Sequence, residues 1–80
     1  MLIPLYGFVK GDTLGVLVLV QDRDSIAMLA ASLAQAVSMR IPVAERAQVL
    51  KNGVVLDPAS TVAEARLLPL ERIDLVPEMA

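Results

Sequence analysis

The stretch TLGVLVLVQDRDSIAMLAASLAQAVSM, residues 13–39, decides the fold, because it changes from a strand pattern to a helix pattern across one turn. Its first part, residues 13–20, is rich in Val and Leu and predicts a strand. Its last part, residues 26–39, contains no Gly or Pro and many strong helix formers. Asp24 or Ser25 is placed to cap the first free amide groups of this helix. A strand therefore leads directly into a helix that should pack on the sheet.

The predicted helix has one apolar face and an opposite face that is almost without charge. The apolar face should pack on the sheet, and it is formed by Ile26, Leu29, Ala30, Leu33, Ala36 and Val37. The opposite face carries Met28, Ala31, Ser32, Gln35 and Met39. A helix that faces solvent normally shows several Lys or Glu there. We therefore expect a partner to cover this face or to lie close to it.

Two β-hairpins flank the helix in the sequence. The first joins residues 2–9 to the strand described above through residues 10–12 (KGD), which supply turn chemistry. Pro4 and Gly7 indicate that its first strand lies at an edge or contains a bulge. The second hairpin contains Asn52-Gly53, and this pair favours a type I′ turn because both central positions need positive φ. The sequence therefore predicts two hairpins separated by one helix.

The C-terminal part completes the order strand, strand, helix, strand, strand, turn, strand. Residues 61–66 predict one short helical turn, capped by Ser60 or Thr61, and residues 72–76 predict a final strand. We expect this last strand to lie centrally, beside the first. The predicted class is α+β: a single β-grasp (ubiquitin-like) domain over residues 1–80, with one main helix packed across a mixed sheet of four to five strands.

Strand alternation predicts that both faces of this sheet are apolar. The side chains that should point inward are Val16, Val18, Val20, Val49, Ile73 and Leu75. Those that should point outward are Leu17, Leu19, Leu50, Val54 and Val76. Burying each inward side chain stabilises the fold by roughly 1.5–3 kcal/mol. The outward set leaves the back of the sheet unusually apolar, which is typical of an interaction site.

Composition points to the same conclusion. Of the 80 residues, 56% are hydrophobic and only 20% are charged. A domain of this size buries only about 60% of the surface that its unfolded chain exposes, so some of this apolar surface must stay outside. Cys and His are absent from the sequence, which removes disulfides, Cys or His zinc ligands and thiol or imidazole catalysis. We therefore predict a non-catalytic chain with no cofactor and no metal.

Charge and motifs exclude several other functions. The net charge is −2 and the Lys and Arg residues are scattered, unlike the basic stripe of a nucleic-acid-binding protein. No apolar run approaches the ~20 residues of a membrane span, and we expect no signal peptide and a cytoplasmic location. The sequence also lacks a Gly-Gly tail for conjugation. A protein interface is the remaining prediction, formed by Leu17, Leu19, Leu50, Val54, Val76, Met28, Met39 and Arg40.

The chain resembles known proteins in two ways. Residues 41–76, with Ile-Pro after the helix, a hairpin, a Leu-Asp exit and the last strand IDLV, resemble the second half of ubiquitin. Residues 3–30 are similar to the TmoB family in their Ile-Pro start, in Phe8 before the KGD turn, and in the helix start DRDSI. The IDLV strand also matches the last strand of that family. The second resemblance therefore covers nearly the whole chain.

The TmoB family comprises the small gamma subunits of bacterial toluene monooxygenases and related multicomponent diiron monooxygenases, which act in aromatic hydrocarbon catabolism. The resemblance implies an accessory subunit of a hetero-oligomer that docks on the large diiron-bearing hydroxylase subunit and contributes no metal ligand. The chain departs from the family at Ala30, Ala31 and Ala34, where relatives carry charge. An alternative of another class is a ubiquitin-like adaptor outside oxygenases, such as a YukD-like component of type VII secretion.

Overall fold

The computed structural model describes residues 1–41 and 46–78. Within them the elements follow the order β1 Leu2–Val9, β2 Val16–Gln21, α1 Ile26–Val37, β3 Ala47–Lys51, β4 Val54–Val55 and β5 Arg72–Pro77. The strands form one sheet in the order β2-β1-β5-β3-β4. Strand β5 runs parallel to β1, and the other neighbouring strands are antiparallel. The predicted central position of the last strand, beside the first, is therefore confirmed.

Strand β1 is an interior strand, so the prediction that Pro4 marks an edge is wrong. Pro4 nevertheless costs the sheet no hydrogen bond. Its nitrogen lies on the same side of β1 as that of Tyr6, which donates to Glu71 O, but pairing with β5 starts only at Tyr6. The Pro4 carbonyl oxygen on that side accepts a bond from Leu70 N. Proline is tolerated because its missing N–H faces a point where no strand pairs.

Gly7 is not at a bulge either, since the pairing of β1 with β2 runs without interruption from Leu2 to Gly7. Its role is to let the helix approach. A Cβ atom at this position would lie 2.0 Å from Cδ2 of Leu33. The absent side chain of Gly7 is what allows α1 to pack directly on the centre of β1.

The β1–β2 turn is longer than predicted, because β2 begins at Val16 and not at residue 13. Leu14 N donates to Asp12 Oδ1 at 3.3 Å, which holds the chain in a turn. Gly15 follows close to the Phe8 ring: a Cβ atom there would lie 2.8 Å from Phe8 Cζ. Within the described residues, strand β2 pairs on one side only, and its sequence VLVLVQ contains neither Lys nor Pro.

Helix α1 starts at the predicted cap. Ser25 Oγ accepts a hydrogen bond from Met28 N at 3.1 Å, whereas the Asp24 carboxylate accepts one from Gln21 N. The helix ends at Val37, two residues earlier than predicted. The sequence also predicts that Ile41-Pro42 ends the helix, because the residue before a proline is pushed out of the α region. Pro42 lies outside the described residues.

The buried face of α1 is narrower than predicted. Its buried residues are Ile26, Leu29, Leu33 and Val37. Ala36 is exposed, so its predicted inward position is wrong: it lies on one flank of the buried stripe. Ala34, on the other flank, packs against the core instead.

The second hairpin has the predicted turn. Asn52 and Gly53 take φ values of 53° and 79°, which suit a type I′ turn. Strand β4, after this turn, has only two residues. The short turn that follows is capped by Thr61 and not by Ser60: Glu64 N donates to Thr61 Oγ1, and Thr61 N donates to Glu64 Oε1. This reciprocal pair is a capping box.

The core between α1 and the sheet contains only aliphatic side chains among the described residues. Of the predicted inward strand residues, all are buried except Val16, which is partly buried and packs against the others. The buried residues are Ile3, Leu5, Val9, Val18, Val20, Ile26, Leu29, Leu33, Val37, Val49, Val62, Leu67, Ile73 and Leu75. Both aromatic residues of the chain therefore lie elsewhere.

Candidate protein interface

The face of the sheet that points away from α1 is called the outer sheet face. It carries the residues that alternate with the buried ones along each strand. Strand pairing aligns them in rows, because Leu17 lies opposite Tyr6, and Tyr6 opposite Arg72. The outer sheet face includes Leu2, Pro4, Tyr6, Phe8, Leu17, Leu19, Leu50, Arg72, Asp74 and Val76.

The structure brings most of the sheet residues predicted for the interface onto this face. Leu17 and Leu19 on β2 are more than half exposed. Leu50 and Val76, on β3 and β5, are partly buried. Val54 is exposed, but it pairs with Lys51, while Val55 lies opposite Leu50. Because antiparallel partners share a face, Val55 is the β4 residue beside Leu50, and the predicted position of Val54 on the outer sheet face is wrong.

The helix residues predicted for the same interface lie elsewhere. Met28 is exposed on the side of α1 that faces away from the sheet. Met39 is almost fully exposed in the turn after α1. Arg40, in the same turn, donates to Asp12 Oδ2 in the β1–β2 turn, with an Nε distance of 3.2 Å. The predicted residues therefore form two separate groups, one on the outer sheet face and one around the helix.

Three further residues of the outer sheet face escaped prediction. Tyr6 and Phe8 are the only aromatic residues of the sequence, and both lie on this face of β1. The Arg72 guanidinium lies over the Phe8 ring, 4.1 Å from its centre, and donates to Asp74 Oδ1 at 3.1 Å. The alternation of apolar residues along β1 could have placed both aromatic residues outward, but Pro4 and Gly7 made that strand hard to interpret.

Two carboxylates near the ends of the sheet have lowered pKa values. The pKa of Asp12 is lowered mainly by the hydrogen bond from Arg40. The pKa of Glu71 is lowered mainly by the bond from Leu68 N and then by Lys51, whose Nζ lies 3.1 Å from Glu71 Oε2. Asp12 thus links the β1–β2 turn to the turn after α1, and Glu71 links the segment before β5 to β3.

Chemical groups for catalysis or metal binding are scarce. Within residues 1–41 and 46–78, no three side chains of Asp, Glu, His or Cys come together in a way that could hold a metal ion.

A groove of about 630 Å³ lies between α1 and β3, and its helix wall is largely alanine: Ala27, Ala30, Ala31 and Ala34. In the part of the chain that the structure describes, no helix has the length and apolar character needed to cross a membrane.

Comparison with known families identifies the relatives of this chain. The family model TmoB, described as toluene-4-monooxygenase system protein B, matches residues 2–76. The chain belongs to the TmoB family. The predicted resemblance is therefore confirmed, and of the two functional hypotheses this membership favours the oxygenase one. Comparison with curated protein sequences gives no match.

Solved structures support the TmoB family assignment and the fold. A chain of the toluene 4-monooxygenase HD complex with the inhibitor 4-bromobenzoate superposes with a TM-score of 0.89 and 30% identity, over 98% of this chain and 100% of that chain. The ubiquitin-like domain of Plasmodium falciparum Dsk2 gives 0.80 and 20% identity, over 98% and 100%. Caldiarchaeum subterraneum ubiquitin gives 0.78 and 10% identity, over 100% and 98%. The last two show the fold alone, and they confirm the predicted β-grasp class.

Proposed function

We propose that this TmoB family chain is a non-catalytic accessory (gamma) subunit of a bacterial multicomponent diiron monooxygenase. Acting as a single ubiquitin-like domain, it docks on the large diiron-bearing subunit through its outer sheet face. Family membership supports a place in a monooxygenase system. The likeness to a chain of the toluene 4-monooxygenase HD complex supports a hetero-oligomer.

One observation carries the choice of face. Four large apolar side chains are exposed together on the outer sheet face of β1 and β2: Leu2, Tyr6, Leu17 and Leu19. On α1, Met28 is the exposed large apolar side chain, and its neighbours on that side are mainly Ala, Ser and Gln. Exposed apolar patches mark interaction sites when they are contiguous. The sheet therefore offers the better docking surface, and Met28 and Met39 lie outside it.

The ionisable groups support a non-catalytic role. The sequence contains no Cys and no His. Several carboxylates already have structural partners: Asp12 pairs with Arg40, Glu71 with Lys51, and Asp74 with Arg72. Ion pairs at the surface account for these carboxylates without a catalytic role. The subunit thus contributes surface to the complex, and the large subunit contributes the chemistry.

A matched pair of substitutions tests the proposal. Leu19 and Met28 have the same exposed fraction, 59%, on opposite sides of the molecule. Each would be changed to Asp and co-expressed with the large subunit of the same monooxygenase. We expect Leu19→Asp to abolish co-elution in size-exclusion chromatography while the isolated chain keeps its circular dichroism spectrum. Met28→Asp should still co-elute.

The reverse result, loss of the complex in Met28→Asp alone, would place the partner on the helix and refute docking through the sheet. Failure of the unmodified chain to bind the large subunit would refute the proposed function itself. Leu50→Asp is a less clean test, because Leu50 is partly buried and an aspartate there also strains the fold.

A further inference from the structure

One end of the outer sheet face forms a groove of about 350 Å³, between the β1–β2 turn and the β3–β4 turn. Its apolar lining includes Phe8, Leu50 and Val76. Its charged lining includes Lys10, Asp12, Arg72 and Asp74. This groove, called the β-turn groove below, continues the apolar surface of β1 and β2 proposed above as the docking face, and it adds charge to it.

Ion pairing leaves the charge of Lys10 uncompensated in the β-turn groove. Asp12 is neutralised by Arg40, and its side chain is only 6% exposed. Asp74 is paired with Arg72. No ion pair of Lys10 is found within the described residues. The four lining charges sum to zero, but Arg40, which is not part of the lining, neutralises Asp12. With Arg40 included, Lys10, Arg40 and Arg72 against Asp12 and Asp74 leave one positive charge, although the whole chain carries −2.

Arg72 is held in place and still has free hydrogen-bond capacity. Its guanidinium lies on the Phe8 ring, and its Nε and Nη2 atoms donate to Asp74 Oδ1 at 3.4 and 3.1 Å. A guanidinium has five N–H donors, so these two bonds leave others unused. The side chain remains 66% exposed. Arginine fixed in this way loses little conformational entropy when it binds a carboxylate.

We propose that the β-turn groove binds an acidic side chain, Asp or Glu, of the large subunit, and we call this side chain the acidic anchor. The carboxylate pairs with Arg72 and with Lys10 across the groove, and apolar groups beside it pack on Phe8, Leu50 and Val76. This inference rests on the proposed function, because it names the chemistry of the partner at one end of the same docking face. Charge complementarity of this kind fixes the orientation of docking and speeds association.

Charge reversal at Lys10 tests the inference against a matched control. Arg23 is exposed and follows the C-terminal end of β2, so it lies at the opposite end of the antiparallel β1–β2 pair from Lys10. We expect Lys10→Glu to raise the Kd for the large subunit about tenfold or more at low salt, and the loss should shrink at high salt. Arg23→Glu should change the Kd by less than about twofold. Binding would be followed by biolayer interferometry.

A double variant separates direct pairing from net charge. Arg72→Gln with Asp74→Asn removes one charge of each sign, so the net charge of the groove stays the same. If Arg72 pairs directly with a carboxylate of the partner, this variant still weakens binding several-fold. Circular dichroism would check that Lys10→Glu, Arg23→Glu and the double variant fold.

The outcomes distinguish the inference from the proposed function. If Leu19→Asp breaks the complex while Lys10→Glu and the double variant bind like the unmodified chain, the acidic anchor is refuted and the docking face stands. Tighter binding by Lys10→Glu would indicate a basic partner group and would also refute the anchor. If Leu19→Asp leaves the complex intact, the docking face is wrong and the anchor is refuted with it.

Discussion

The guanidinium carbon of Arg72 lies 4.1 Å from the centre of the Phe8 ring, on the side of the sheet away from the helix. Cation–π contacts of this kind contribute about 0.5–1 kcal/mol at exposed sites. The far end of the ring is confined by Gly15, where a Cβ atom would lie 2.8 Å from Phe8 Cζ. Phe8 thus serves as a platform for an exposed arginine, and the core is built without it.

The first prediction concerns this platform. We expect Gly15→Ala to displace the Phe8 ring, because the added methyl group would overlap the end of the ring. The Arg72 Nε–H proton should then lose the ring-current shift that the aromatic ring imposes in the NMR spectrum. Ser32→Ala is a suitable control, since Ser32 is exposed on α1, away from the Phe8 ring. An unchanged Arg72 resonance in Gly15→Ala would mean that the ring does not depend on Gly15.

The second prediction concerns the contact between Gly7 and Leu33. Gly7→Ala should destabilise the fold by about 1–3 kcal/mol, because its Cβ atom would overlap Leu33 Cδ2. Leu33→Ala alone should cost about 2–5 kcal/mol. In the double variant the two costs should not add, since the smaller side chain at position 33 makes room for the new methyl group. Urea denaturation of the four proteins measures this coupling, and strict additivity would contradict it.

The third prediction concerns the start of α1. Ser25→Ala should lower the free energy of unfolding by about 1 kcal/mol, because Met28 N loses its side-chain acceptor. Ser25→Asp should keep most of the stability, since aspartate is also a good N-cap. Ser32→Ala, on the exposed side of the same helix, should cost nothing. Thermal unfolding would compare the three, and equal losses at positions 25 and 32 would exclude the cap.

The fourth prediction concerns pH. The pKa of Glu71 is lowered in the folded chain by Leu68 N and Lys51, so its ionised form stabilises the fold at pH values above the ordinary carboxyl range. The stability advantage over Glu71→Gln should be full at about pH 7 and should disappear as the pH falls through the lowered pKa. Urea midpoints at about pH 7 and about pH 3 measure it. An equal difference in stability between the two proteins at both pH values would show that the charge of Glu71 is not the cause.

Local patterns were enough to predict the elements of this fold. Asn52-Gly53 indicated the hairpin because few other residue pairs accept two positive φ values. Strand alternation placed Val18, Val49 and Leu75 correctly, because these strands have one buried face. Patterns failed where the deciding neighbour is distant in sequence. Pro4 looked like an edge signal, and only the late start of pairing with β5 explains why an interior strand accepts it.

The candidate site was only partly predictable for the same reason. Leu17 and Leu19 follow from alternation within one strand. Arg72 becomes a candidate only when β5 lies beside β1 and brings it over Phe8, a contact between residues far apart in the sequence. The sequence does not separate Met28 and Met39 from the sheet residues, because composition shows how much apolar surface exists, but not on which side of the molecule it lies.

The one-sided pairing of β2 has a cost for the cell. Many proteins protect such an edge with Lys, Pro or a bulge. The sequence of this strand, VLVLVQ, contains no Lys and no Pro. A copy made in excess of its partner would offer an unguarded template to any other unpaired strand. We expect the surplus to enter inclusion bodies or to be degraded, so selection should favour synthesis of this subunit in step with the rest of its enzyme.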